Sequence, residues 1–241
     1  MEHRSLVGHR GSPLEFPENS IPGVVRCLDL DARFIEIDVQ LTKDRKVVLH
    51  HDRTLERCCG APGQVHEYNL DQLNRLSFSE PDFFKDRFRG LPPATLEAVT
   101  ALCRSRPGMT LFIEVKPVAV EQFGAEGDLD AIGEAVGRPG RDEVLISYRR
   151  DLLDEAGSRG WSRTGLILHD WNQAASDRGV TPEFLFCNVS RLPDAGRLDG
   201  SDSKLGVYDV IEPGLGKALL GRGVDLVETF DLPGMLQDGH D

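Results

Sequence analysis

The sequence predicts an α/β fold of the TIM-type (β/α)8 barrel class. Three observations carry the prediction. Short β-branched, apolar runs recur along the chain, with helical or turn-rich stretches between them. Those runs number eight, the strand count of a closed parallel barrel. The length, 241 residues, suits one barrel domain spanning 1–241. An open doubly wound sheet is the alternative arrangement of the same alternation.

In order, strands are predicted at Ser5–Gly8, Phe34–Val39, Thr110–Lys116, Val144–Ser147, Thr164–Leu168, Phe184–Asn188, Leu205–Val210 and Asp225–Glu228. The clearest helices are Pro22–Leu30, Thr95–Cys103, Asp151–Ser158 and Leu215–Leu220. One segment breaks the alternation. Val47–His50 is strand-like, yet only Leu41–Lys46 separates it from the second strand. That link is too short for a parallel crossover, so it must be a hairpin. Residues 53–93, turn-rich and aromatic (FSEPDFFKDRFRG), then form an insertion expected over one barrel mouth.

Hydrophobic residues make up 39% of the chain and charged residues 28%, as in ordinary globular proteins. No apolar run is long enough to span a membrane. The first residues, MEHRSLVGHRG, lack the apolar core of a signal peptide, so a cytoplasmic location is expected. Five scattered cysteines argue against a disulfide framework and against a zinc site. The adjacent Cys58 and Cys59 read as small loop residues. A net charge of −12 argues against general nucleic-acid binding. It leaves room for a small anionic substrate, because the charge inside one pocket can differ from the charge outside.

The strongest chemical signal is an inverted strand pattern in RFIEIDVQ. Ile35, Ile37 and Val39 share the face that helices must cover, so Glu36 and Asp38 point into the barrel. LFIEVKP repeats it, with Glu114 and Lys116 inward. Buried carboxylates are costly unless paired or bound to a metal. Three converging ones make a hard-cation site suited to one Mg²⁺ or Ca²⁺. The competing reading is a buried ion-pair network with Lys116 or Arg10. His9 follows the first strand with inward parity, and His51 ends the hairpin strand, where Asp52 can orient its ring. Two imidazoles beside a cation suit general acid–base work. Strand alternation points His50 the other way. His3, His66, His169 and His240 read as packed or exposed polar residues. Arg10 and Lys116 supply fixed positive charge for an anion. PGLGKALLG fails as a dinucleotide or phosphate loop, because Leu219 stands where the last glycine belongs. The acidic stretch 121–135 reads as a solvated helix face.

GHRGSPLEFPENS, FIEIDVQLTKDRKVVLHHD and LFIEVKP, with LPPATLEAV before the last, resemble the glycerophosphodiester phosphodiesterase family over roughly residues 5–117. The resemblance implies a TIM-type barrel with a small insertion after the hairpin. It also implies hydrolysis of a small-molecule glycerophosphodiester to glycerol 3-phosphate and an alcohol. By motif, it makes His9 and His51 the catalytic pair and Glu36, Asp38 and Glu114 the metal ligands. Arg10, Asn19 and Lys116 become substrate-pocket residues, and Glu18 belongs to the same PEN turn. The later strands depart from the family pattern. Tyr208 takes an aromatic position near the mouth, where it is assigned to substrate. Glu228 and Thr229 stand where the family often ends a strand on Thr-Asp. Rival readings are a lysophospholipid or phosphoinositide substrate at the same site, or an inactive barrel that binds a phosphorylated ligand. The expected assembly is a monomer or homodimer.

Overall fold

In the computed structural model, which describes residues 1–173, 181–200 and 202–237, the alternating runs become nine strands. They are β1 (Leu6–His9), β2 (Phe34–Leu41), β3 (Val47–Leu49), β4 (Thr110–Val115), β5 (Glu143–Ser147), β6 (Thr164–Leu168), β7 (Phe184–Asn188), β8 (Lys204–Tyr208) and β9 (Leu226–Thr229). All but β3 are parallel, and β1 pairs with both β2 and β9, so the sheet closes on itself. The hairpin is present: β3 runs antiparallel to β2.

Helices among the described residues cover the outside or fill the loops. They are α1 (Ile21–Asp29), α2 (Glu56–Cys59), α3 (Leu70–Leu73), α4 (Pro81–Phe84), α5 (Leu96–Arg104), α6 (Pro117–Val136), α7 (Arg150–Ser158), α8 (Pro213–Gly221) and α9 (Leu232–Gln237). Their starts follow local chemistry. Ser20 Oγ accepts the Gly23 N–H and Thr95 Oγ1 the Ala98 N–H, so each hydroxyl satisfies a donor in the open first turn of α1 or α5. No helix among the described residues is long and apolar enough to cross a membrane.

Strand alternation separates two apolar layers. Ile35, Ile37, Val39, Ile113 and Val115 pack outward under the helices. Val7, Phe112, Val144, Ile146, Ile167, Phe184, Phe186 and Leu226 fill the barrel interior. Phe186 fits because its register partner on β8 is Gly206, where a Cβ would stand 2.5 Å from the ring. The inner packing is therefore large against small across neighbouring strands. Residues 53–93 carry α2, α3 and α4 around a minor core of Leu55, Ala61, Val65, Leu73 and Phe78 against Val48. Glu80 of this segment accepts the Glu18 N–H and fastens it to the loop after β1.

Two expectations need correction. β8 ends at Tyr208 rather than continuing to Val210, because Asp209 turns to a left-handed φ of 64° that no strand accommodates. The acidic stretch is not wholly solvated. Asp128 on α6 is fully buried, with neither carboxylate oxygen hydrogen-bonded. Burial raises its pKa to about 7, against a small opposing effect of Arg45. His240 lies outside the described residues.

Gly206→Ala should lower stability by about 1–3 kcal/mol through overpacking against Phe186, read as a drop in denaturant midpoint; an unchanged midpoint would contradict this account of the interior. Asp128 supplies a second test. Its folded pKa lies above the ordinary 3.8, so the folded state holds the extra proton and stability falls as pH rises from about 4 to about 7. Asp128→Asn should therefore raise the melting temperature more at pH 8 than at pH 4, and an equal gain at both would refute the sign.

Candidate active site

The carboxyl ends of the barrel strands gather the side chains singled out by parity, the end where barrel enzymes build their sites. β1 delivers His9, followed by Arg10. β2 delivers Glu36 and Asp38, and β4 delivers Glu114, followed by Lys116. The register places His9 beside Glu36 and Asp38 beside Glu114. One oxygen from each of Glu36, Asp38 and Glu114 lies within 4.8 Å of the others, and all three residues are buried.

These carboxylates are not equivalent. Asp38 is surrounded: Lys116 Nζ stands 3.2 Å from Oδ1, and Arg10 Nε stands 3.3 Å from Oδ2. Asn19 Nδ2 donates to Oδ2 at 2.8 Å, and the Asp38 N–H donates to Asn19 Oδ1. Burial alone would raise the Asp38 pKa, but Lys116 and Arg10 outweigh it and hold the group well below the usual carboxylate range. Glu36 is the opposite case. It accepts the Arg10 backbone N–H at 3.1 Å on Oε2, while the buried Oε1 has no partner. Burial, then Asp38, Glu228 and Glu114, push its pKa well above the ordinary value. Glu114 accepts from Lys116 Nζ at 2.7 Å. Its pKa is raised by burial, with Lys116 opposing.

A buried cluster of three carboxylates, with one Glu36 oxygen left without a partner, is the environment a hard cation relieves. The donor set is all oxygen, which fits Mg²⁺ or Ca²⁺ and not a soft metal. Arg10 and Lys116 balance only two of the negative charges.

The two histidines stand beside this cluster. His51 Nδ1 lies 2.8 Å from Asp52 Oδ1, and Asp52 is clamped by Arg57, whose Nε donates to Oδ2 at 2.7 Å. Arg57 also reaches Glu18 at 2.7 Å, and Glu18 in turn pairs with Arg10 at 3.2 Å. His9 is stacked on Phe230, ring centroids 4.4 Å apart. Its Nε2 lies 3.1 Å from Glu228 Oε1 and 3.8 Å from Glu36 Oε2. Burial and then Arg10 drive its pKa well below the ordinary 6.5.

His9, Arg10, His51, Glu114, Lys116 and Tyr208 line one cavity of about 270 Å³. Glu36 and Asp38 do not line it; they are buried against the lining residues His9, Arg10 and Lys116. Glu18 and Asn19 stand behind it. The carboxamide of Asn19 is committed to Asp38 at both its oxygen and its nitrogen, so it supports the carboxylate cluster beside the cavity. His50 points away, with Nε2 against the Thr54 carbonyl. Strand parity alone had not marked Tyr148, Asn188 and Asp209, which also line the cavity. Each ends or just follows a barrel strand, a position that could have flagged them. Tyr148 and Tyr208 join through their hydroxyls at 2.7 Å. A wider groove of about 1150 Å³ opens at the opposite end of the barrel, around Met1–Arg4, Arg33 and Arg106. The carboxylate and histidine cluster is not there.

Four non-glycine residues with positive φ also sit around this site: Arg10 (56°), Asn19 (54°), Glu80 (46°) and Asp209 (64°). Backbone strain of that kind persists where surrounding structure over-determines a conformation, and it concentrates at functional sites.

The chain is similar to known proteins in sequence and in fold. Residues 9–131 match the profile of the Glycerophosphoryl diester phosphodiesterase family. A glycerophosphodiester phosphodiesterase of Caldanaerobacter subterraneus is 34% identical over 124 residues, 52% of this chain and 50% of that protein. Human glycerophosphodiester phosphodiesterase 1 is 27% identical over 245 residues, 94% of this chain and 72% of that protein. The chain spans about half the length of the bacterial relatives it matches. In fold, it superposes on a phosphodiesterase of Oleispira antarctica solved in complex with the product sn-glycerol-3-phosphate. The TM-score is 0.82 at 20% identity, over 97% of this chain and 95% of that one. The match runs from the His9 strand past the Glu114 strand, and the chain belongs to the glycerophosphoryl diester phosphodiesterase family.

Proposed function

We propose that this protein hydrolyses glycerophosphodiesters to glycerol 3-phosphate and an alcohol, with one divalent cation, Mg²⁺ or Ca²⁺, held by Glu36, Asp38 and Glu114. The observation that carries the reading is the meeting of three buried carboxylates, two imidazoles and two fixed cations around one cavity. The product held by the Oleispira antarctica fold relative supports the substrate class.

When bound, the cation supplies Lewis-acid polarisation of a phosphoryl oxygen. The chain's own residues do the rest. Arg10 and Lys116 hold the anionic diester, and their charge is kept in place by Asp38, Glu18 and Glu114. One imidazole takes the proton of the attacking oxygen as that oxygen bonds to phosphorus. The other gives a proton to the alkoxide as the phosphorus–oxygen bond to the alcohol breaks. Asp52, itself clamped by Arg57, fixes the His51 ring so that Nε2 is the nitrogen left for this work.

A lysophospholipid is a second reading, favoured by one observation. The exposed large apolar side chains Leu14, Phe83, Ile211 and Leu215 belong to the loop after β1, the insertion, the loop after β8 and the start of α8. The loops after β1 and β8 and the start of α8 lie at the mouth end of the barrel. A chain of ring contacts, Phe83–Phe84–Phe88–Phe16, ties the insertion to that end as well.

Purified protein assayed on glycerophosphocholine, glycerophosphoethanolamine and a lysophospholipid should release product from a glycerophosphodiester and lose that activity on chelation. No metal-dependent release from any of the three would sink the assignment. Turnover of the lysophospholipid alone would select the second reading. Glu36→Ala and His51→Ala should each lower kcat, the latter by about 10²–10⁴-fold. Only Glu36→Ala should weaken Mg²⁺ or Ca²⁺ binding in calorimetry. Near-wild-type turnover by His51→Ala would remove it from the acid–base pair.

A further inference from the structure

Each catalytic imidazole needs a partner on its far nitrogen to fix ring orientation and tautomer. For His51 that partner is the next residue, Asp52. For His9 the sequence offers nothing adjacent, and Nδ1 of His9 is buried without a hydrogen-bond partner. An unsatisfied buried ring nitrogen at a reacting centre calls for an account.

The nearest carboxylate on that side comes from the end of β8, two strands round the barrel from β1. Asp209 Oδ1 lies 3.5 Å from His9 Nδ1. The other oxygen of Asp209, Oδ2, accepts from Asn188 Nδ2 at 2.6 Å, so Asn188 at the end of β7 orients the carboxylate. Asp209 reaches this place by leaving β8 with a φ of 64°, a conformation uncommon for any residue but glycine, though more accessible to Asp and Asn than to most others. The strand ends at Tyr208, and the turn at Asp209 puts the carboxylate at the His9 edge. Glu228 and Glu36 occupy the opposite edge, at Nε2, where the cation cluster lies. Phe230 covers one ring face.

We infer that Asp209, aimed by Asn188, is the positioning residue for His9. It accepts a hydrogen bond from the Nδ1–H, so that Nε2 is the nitrogen left for the phosphodiester, as Asp52 does for His51. The inference rests on the proposed acid–base role of His9. Forming the bond needs closure of the 3.5 Å gap by a few tenths of an ångström, within what side chains adjust when a site is filled. The two halves of the barrel would then each contribute one carboxylate–imidazole pair. Asp52 comes from the strongly family-like first half and Asp209 from the divergent second half.

The test reads the tautomer first and activity second. Long-range ¹H–¹⁵N spectra of histidine-labelled protein, with His9 identified by its loss in His9→Gln, should show neutral His9 protonated on Nδ1. In Asp209→Ala the His9 signals should move toward a tautomer average. Asp209→Asn, which tolerates the same backbone conformation and keeps an acceptor oxygen, should fall between. In turnover of a glycerophosphodiester, Asp209→Ala should lower kcat by about 10–100-fold, the usual loss for an orienting partner, with KM within twofold and cation affinity unchanged. Wild-type His9 protonated on Nε2 would overturn the inference and make Glu228 the orienting group. A His9 spectrum unchanged by Asp209→Ala would overturn it too. So would a rise in KM with kcat intact, which would make Asp209 a substrate contact. The spectra need no substrate. A protein inactive on every glycerophosphodiester would therefore refute the proposed reaction while the tautomer still reads the pairing.

Discussion

Glu36 and Asp38 are two residues apart on one strand, so β-sheet geometry turns both carboxylates into the same small, water-poor volume, and Glu114 joins them from the neighbouring strand. Like charges at that separation in a barrel interior repel strongly. Much of the site can be understood as a response to that repulsion. Lys116 and Arg10 are drawn onto Asp38, and Asn19 adds two hydrogen bonds to it. That leaves Glu36 as the carboxylate without adequate compensation, and a cation is what would supply it. The same imbalance makes the cavity receptive to an anion in a chain of net charge −12. Once a dication joins the two side-chain cations, the carboxylate cluster is no longer net negative.

The positive side chains are in turn held from behind. Arg10 is fixed by Glu18, Glu18 by Arg57, and Arg57 by Asp52, which also orients His51. Cation-binding, anion-binding and proton-transfer groups therefore share one hydrogen-bonded frame. The segment after β3 contributes Arg57 and Glu80 to that frame, so it supports the site as well as flanking it. Disturbing one member changes the setting of the others, and effects of substitutions within the frame will not add.

Much of the barrel was legible in the sequence because its pattern is periodic. Alternation of Ile35, Ile37 and Val39 with Glu36 and Asp38 assigns faces to β2 without any knowledge of neighbours. The short link Leu41–Lys46 forces β3 to be antiparallel for reasons of chain length. Asp209 and Asp128 were not legible. Asp209 sits in a run, GVYDVIEP, that reads as a continuous strand, and only the contacts of the folded barrel make its left-handed turn worth its strain. Asp128 sits in an acidic stretch whose composition suggests solvent, yet α6 buries it together with Leu129, Ala131 and Ile132.

Local periodicity by itself determined the alternation of strands and helices and set Glu36, Asp38 and Glu114 on the face opposite the apolar one, since side-chain direction along a strand depends only on the backbone. The tertiary structure alone decided which distant groups meet. Asp209 and Glu228 approach opposite edges of His9, Asn19 is spent on Asp38, and Arg57 links Glu18 to Asp52. Those encounters depend on closure of β9 onto β1 and on strained turns at strand ends, which join residues far apart in the chain and leave no period in the sequence.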